Sequence, residues 1–260
     1  MKHLLKSFAI LLLAAFPLTL AAQGATVILD YMKVTPENES AYLEVEKTWK
    51  EVHRMRIEAG LISGWQLWRN VYAAPGDDYQ YVTITWFNDW AQSLAPVPEG
   101  FNEKVFTELD LGDDFFAKTL ASRNQVDRDV SHRMIEAENS QGANYILVNQ
   151  MKVKDGMEYV YLGQEQNFWK PMQEEAIRRG YMSHWGVWQI FPYEEGQARY
   201  VTVDGFRDVA QLTQTDTEDL LPVVHPDTTW EAVLSSVASV RVQAAIDLWE
   251  LVDAVFPEEE

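Results

Sequence analysis

The sequence predicts an α+β chain of two tandem β-α-β-β-α-β units whose sheets cover one another. Three observations carry that expectation. Gly60-Leu61-Ile62-Ser63-Gly64-Trp65-Gln66-Leu67-Trp68 returns as Gly180-Tyr181-Met182-Ser183-His184-Trp185-Gly186-Val187-Trp188, with Gly, Ser, Trp and Trp repeated at a shift of 120 residues. Met-Lys-Val recurs from Met32 to Met151, and Tyr-Val-Thr from Tyr81 to Tyr200, both at a shift of 119. Strand and helix periodicities then alternate in one order around both sets of landmarks. The polar, Gly-containing stretch Glu138–Gly142 divides the chain into a unit at 23–140 and a unit at 141–260.

Each unit opens on a strand. Val27–Val34 and Tyr145–Val153 are rich in β-formers, and a period of two puts Asp30, Met32 and Val34 on one face, Asn149, Met151 and Val153 on its counterpart. A helix follows, with Thr35 as N-cap, Pro36 at the first helical position and Glu37 in the first turn. Ala41, Val45, Thr48, Val52, Met55 and Ala59 fall at helical spacing as its inward stripe. Gly60 and Gly180 end the paired helices. Pro171 lies inside the second helix, where a missing N–H and a ring clash predict a kink.

Two strands then form a hairpin in each unit, separated by Ala74–Asp78 and by Pro192–Gly196. The units diverge afterwards. The first has a short helix from Asp89, a Pro-rich break, and helix through Phe115, Phe116 and Leu120. The second has a short helix from Asp208, a Thr/Asp-rich linker, and helix through Trp230, Val233, Leu234 and Val237. Val130–Glu136 and Ile246–Val252 are the closing strands, with Arg123 and Gln125 matched by Arg241 and Gln243 on the approach. This is the split βαβ, ferredoxin-like order. Its helices cover one face of the sheet, and the sister unit is the natural cover for the other.

Composition bounds the function. A basic start (Lys2, Lys6), the apolar run Phe8–Leu20 and small residues at Ala21-Ala22 are expected to be a signal peptide, 1–22, too short to span a bilayer of roughly 30 Å. The chain has no Cys, so a secreted product is held by its core alone, which suits a bacterial periplasm or exterior. Formal charge is −19, and −21 without Lys2 and Lys6. That charge argues against nucleic acid and anionic membranes as partners after leader cleavage. The expected state is a monomer (a pseudo-dimer of its own units) or a homodimer.

With element order and landmarks in hand, the chain resembles the dimeric α+β barrel superfamily, which includes antibiotic-biosynthesis monooxygenase-like, haem-degrading monooxygenase-like and NIPSNAP-like proteins. The resemblance implies an intramolecular dimeric α+β barrel, with two ferredoxin-like units fused in one chain and the helices outside. Haem-degrading relatives use an Asn on the first strand, a Trp ending the third and a His on the next helix. Unit one has Trp86 but Asp30 in place of Asn. Unit two has Asn149 but Gly205 in place of Trp, and its His225 lies further on in a Pro-flanked loop. Neither unit carries the set, and no cofactor is expected. There is no phosphate-cradling glycine motif, no zinc spacing and no nucleophile elbow.

The functional expectation is therefore a binding module for a small apolar or aromatic molecule. The favoured place is the helix–sheet cleft of unit one, near Asp30, Trp49, His53 and Trp86. Tyr31, His184 and Trp188 are further candidate ligand contacts. The enzymatic alternative is a cofactor-independent monooxygenase or isomerase with His53 or Asp30 as base and Trp86 or Tyr31 positioning substrate. A structural or assembly role is the third. Trp65 and Trp68, three apart on one strand, point to opposite faces, as do Trp185 and Trp188. The units differ at Gly64/His184, His53/Gln173 and Trp86/Gly205, and any functional site is expected where they differ.

Overall fold

The computed structural model describes residues 24–193, 196–213 and 218–258. The expected signal peptide, 1–22, and the Thr/Asp-rich linker at 214–217 lie outside the described residues.

The first half runs β1 (Thr26–Lys33), α1 (Glu39–Glu58), β2 (Gly64–Asn70), β3 (Tyr81–Phe87), α2 (Trp90–Leu94), α3 (Phe101–Glu108), α4 (Asp113–Ser122) and β4 (Asn124–Glu136). The second runs β5 (Tyr145–Val153), α5 (Glu158–Gln164), α6 (Lys170–Arg179), β6 (His184–Ile190), β7 (Tyr200–Phe206), α7 (Val209–Thr213), α8 (Leu221–Val224), α9 (Trp230–Val240) and β8 (Arg241–Val255). Between α5 and α6 lies a turn of π-helix, Glu165–Trp169. It ends just before Pro171, so the expected disturbance takes the form of a widened turn.

The eight strands close into an antiparallel barrel in the order β1-β3-β2-β8-β5-β7-β6-β4. Two seams join the halves. β8 pairs with β5 through Arg241–Glu250 and with β2 through Trp249–Val255. β4 likewise pairs with β1 through Asn124–His132 and with β6 through Ser131–Glu136. Serving two neighbours makes these strands longer than Val130–Glu136 and Ile246–Val252. Their first halves are largely exposed, that of β4 mostly polar and that of β8 carrying exposed Val242 and Ile246, and both lack the alternation of a half-buried strand. No helix among the described residues is long and apolar enough to cross a membrane.

Alternation along the strands sorts side chains into an outer layer under the helices and an inner layer in the barrel. Trp65 packs outside with Met32, Val34, Tyr42 and Tyr81, and Trp185 outside with Tyr161, Met172 and Tyr200. Trp68 and Trp188 point inward with Val27, Val82, Ile84, Ile146, Val148 and Trp249. The expected division of the tryptophans between two faces holds in both halves.

Two expectations for α1 need correction. The helix begins at Glu39 after Asn38, because 36–38 form a turn ahead of it. Its buried face is Tyr42, Val45, Glu46, Val52 and His53, so of the expected stripe from Ala41 to Ala59 only Val45 and Val52 are fully buried. Ala41 and Ala59 are exposed. The stripe is rotated because two titratable residues belong to it. Glu46 is buried by an ion pair with Arg123, whose guanidinium also lies over the Tyr42 ring. The second half repeats this with Glu165, Arg241 and Tyr161. Gln125 and Gln243 also match, donating to Asp30 and to Asn149.

Candidate functional site

The barrel is not filled. A cavity of about 860 Å³ runs along its interior. Its apolar wall includes Val27, Leu29, Ile84, Ile146, Val148 and Val203, and its aromatic wall is Tyr31, Trp68, Tyr79, Trp86, Trp188, Trp249 and Phe256. That volume lies within the range of pockets that take drug-sized ligands, roughly 300–1,000 Å³. The period of β1 explains one side of it, since Val27, Leu29, Tyr31 and Lys33 all point inward.

Most polar groups of the aromatic wall are paired. Gln66 Oε1 accepts both the Trp86 Nε1–H at 3.0 Å and the Trp68 Nε1–H at 3.3 Å. Tyr31 donates to Asp129 at 3.0 Å, and Tyr79 donates to Asp247 at 2.9 Å while accepting the Trp249 indole at 3.3 Å. Burial raises the Asp129 carboxyl; the Tyr31 hydroxyl opposes that and the neighbouring Asp127 adds to it. Burial also pushes the Tyr31 phenol well up, with Asp129 adding to the effect.

Of the residues singled out from the sequence, Tyr31, Trp86, His184 and Trp188 line this cavity. Trp86 and Trp188 meet edge to face, 5.5 Å apart. His184 is pushed down to about 4 by burial and by the Arg133 charge, so it is neutral at pH 7. The other three residues lie across the sheet. Asp30 accepts Arg128 Nε at 2.5 Å and Gln125 Nε2 at 2.7 Å. Trp49 donates to Thr119 Oγ1 at 3.3 Å and packs on Phe115. His53 is 8% exposed, stacked on Trp65 with centroids 5.2 Å apart, and its Nδ1 lies 3.2 Å from Arg56. Burial, with Arg56 adding, pushes it down to about 3, too low for an effective general base near neutral pH. Asp30, Trp49 and His53 thus share no space with Trp86, because the sheet separates them.

Sequence reasoning missed Gln66, Trp68, Tyr79, Asp127, Asp129 and Trp249. The inward alternation Asp127, Asp129, Ser131 on β4 was a usable signal once the strand was known to start at Asn124.

The helix side of the second half holds a smaller cavity of about 180 Å³ beside Gln164, Phe168, Trp169 and Val233. It has no haem constellation. Asn149 is held by Asp204 and Gln243. His225 is stacked on Phe168, with its Nε2 3.1 Å from that residue's carbonyl. No group of three or more metal-ligating side chains occurs among the described residues.

No family model and no curated protein matches the chain. Solved structures do. A proposed monooxygenase from Fusobacterium nucleatum superposes with a TM-score of 0.57 at 10% identity, covering 91% of this chain and 95% of the other. One from Lactobacillus acidophilus gives 0.53 at 10% identity, covering 90% and 97%. An anthrone oxidase-like protein gives 0.51 at 12% identity, covering 91% and 94%. The fold is the dimeric α+β barrel, closed within one chain. At such identities the likeness concerns the fold and not the chemistry.

Proposed function

We propose that the barrel interior binds a small, largely apolar or aromatic molecule. The observation that carries this reading is the cavity of about 860 Å³ with seven aromatic side chains on its wall. A natural core packs to crystal density, so a space this large and this apolar is a poor stability solution and a good receptacle. The basic–apolar start supports an exported protein, and we place its action outside the cytoplasm.

The test is native mass spectrometry of protein purified from its own host, together with quenching of tryptophan fluorescence by 2-naphthol. A retained small-molecule adduct and saturable quenching are expected, and both should vanish in Val203→Trp, which fills the cavity. An unchanged response in that variant, or no adduct and no quenching in the wild type, would overturn the reading.

A second reading is favoured by the Tyr31–Asp129 pair and by the fold's likeness to proteins named as monooxygenases and an anthrone oxidase-like protein. Here the bound molecule is turned over without a cofactor. Asp129, a raised carboxyl on the cavity wall, takes an acidic proton from the substrate and Tyr31 orients it. An isomerase returns that proton at another carbon, whereas an oxygenase passes electrons of the resulting anion to O₂. Asp129→Asn should then abolish turnover while binding persists. Full activity in that variant would remove Asp129 from the mechanism.

A further inference from the structure

The cavity's charge is as uneven as its shape. At the end formed by Tyr31 and Tyr79 its wall carries Asp78, Asp127 and Asp129 against one cation, Lys33. A fourth carboxylate, Asp247, accepts from Tyr79 just behind the wall. Among the described residues none of these four carboxylates forms an ion pair. Away from that end the polar residues on the wall are neutral, among them Gln66, Gln141 and the His184 imidazole. Arg133, which stands over Trp188, is paired with Glu136.

The rings at the acidic end form a corner. Tyr31 and Tyr79 lie 4.9 Å apart at 71°, Tyr31 and Trp249 6.4 Å apart at 76°, and Tyr79 and Trp249 6.2 Å apart at 89°. Both tyrosine hydroxyls donate to carboxylates. A phenol that donates to an anion gains electron density in its ring, and electron-rich ring faces attract cations. The valines and isoleucines of the remaining wall offer no hydrogen bonds, so they suit the uncharged body of such a molecule. An anion would meet repulsion from every carboxylate at the mouth.

Taking the barrel interior as the binding site, we propose that its ligand is an organic cation. An apolar or aromatic body lies along the barrel, and a tertiary or quaternary ammonium seats at the Tyr31–Tyr79–Trp249 corner beside Asp127 and Asp129.

Two probes of equal shape test this: 4-(trimethylammonio)phenol and 4-tert-butylphenol, titrated into the full chain by calorimetry and tryptophan quenching. The cation should bind roughly tenfold or more tightly. Its affinity should fall between about 20 mM and about 500 mM salt while that of the phenol does not. Asp78→Asn/Asp127→Asn, both on the exposed rim, should bring the ratio towards one. Equal or tighter binding of the neutral probe overturns the cation and leaves the cavity reading standing. Binding of neither probe, in wild type as in Val203→Trp, overturns both.

Discussion

His184 stands directly opposite Gly205 across the β6–β7 ladder, where the first half sets Gly64 opposite Trp86. Each pair combines a large side chain with a glycine, but in opposite order. A Cβ at Gly205 would come within 2.7 Å of His184 Cβ and 2.9 Å of Ala143 Cβ, so a side chain at 184, together with Ala143, requires the glycine. A Cβ at Gly64 would meet the Phe256 ring, which occupies that corner instead. Gly205→Ala should therefore cost about 1–3 kcal/mol in chemical denaturation, as overpacked sites do. His184→Gly/Gly205→Ala should recover part of that loss, the Ala143 contact remaining. Additive costs would show that the two residues do not compete for one space.

The ion pair of Glu46 with Arg123 lies buried beneath Tyr42. Removing one partner strands a buried charge, so Glu46→Ala should destabilise by about 3–5 kcal/mol. Glu46→Leu/Arg123→Met should be far milder, since an apolar pair of similar volume carries no desolvation cost. Thermal unfolding of the two variants checks the order.

Much of this organisation was legible in the sequence. The repeated landmarks placed the hairpins, and strand alternation put Trp65 and Trp68 on opposite faces. The contrasts Gly64/His184 and Trp86/Gly205 pointed to His184 and Trp86, which line the barrel cavity, whereas His53/Gln173 pointed away from it. The phase of α1 was not legible, because Glu46 and His53 look like surface residues until partners distant in sequence, or a Trp65 face, cover them. The cavity was not legible either. An empty space is set by the register of eight strands and the length of two of them, and no local pattern records it.

Asp204 is raised by burial to about 6, with the Asn149 amide opposing. A carboxyl raised in the folded state favours folding below its unfolded value and loses that contribution as pH rises through the folded one. Asp204→Asn keeps the shape and removes the titration. It should therefore raise stability more at pH 8 than at pH 4, by up to about 3 kcal/mol from the size of the shift. An equal effect at both pH values would contradict the assignment.

His53 and His184 titrate with the opposite sign. Burial, reinforced by Arg56 and by Arg133 respectively, lowers them to about 3 and about 4. The unfolded chain therefore takes up protons before the folded one does, and stability should fall as pH drops from about 6.5 through that range. Imidazole resonances in NMR should show both rings still neutral at pH 5. A protonated His53 at that pH would contradict its burial against Trp65.

The central claim is that the ligand lies inside the barrel and not under the helices. Anomalous diffraction from crystals soaked in 4-bromophenol tests it most directly. A bromine peak between Trp68, Trp188 and Trp249 is the predicted result. A peak beside His53 and Trp65, with the barrel empty, would contradict it.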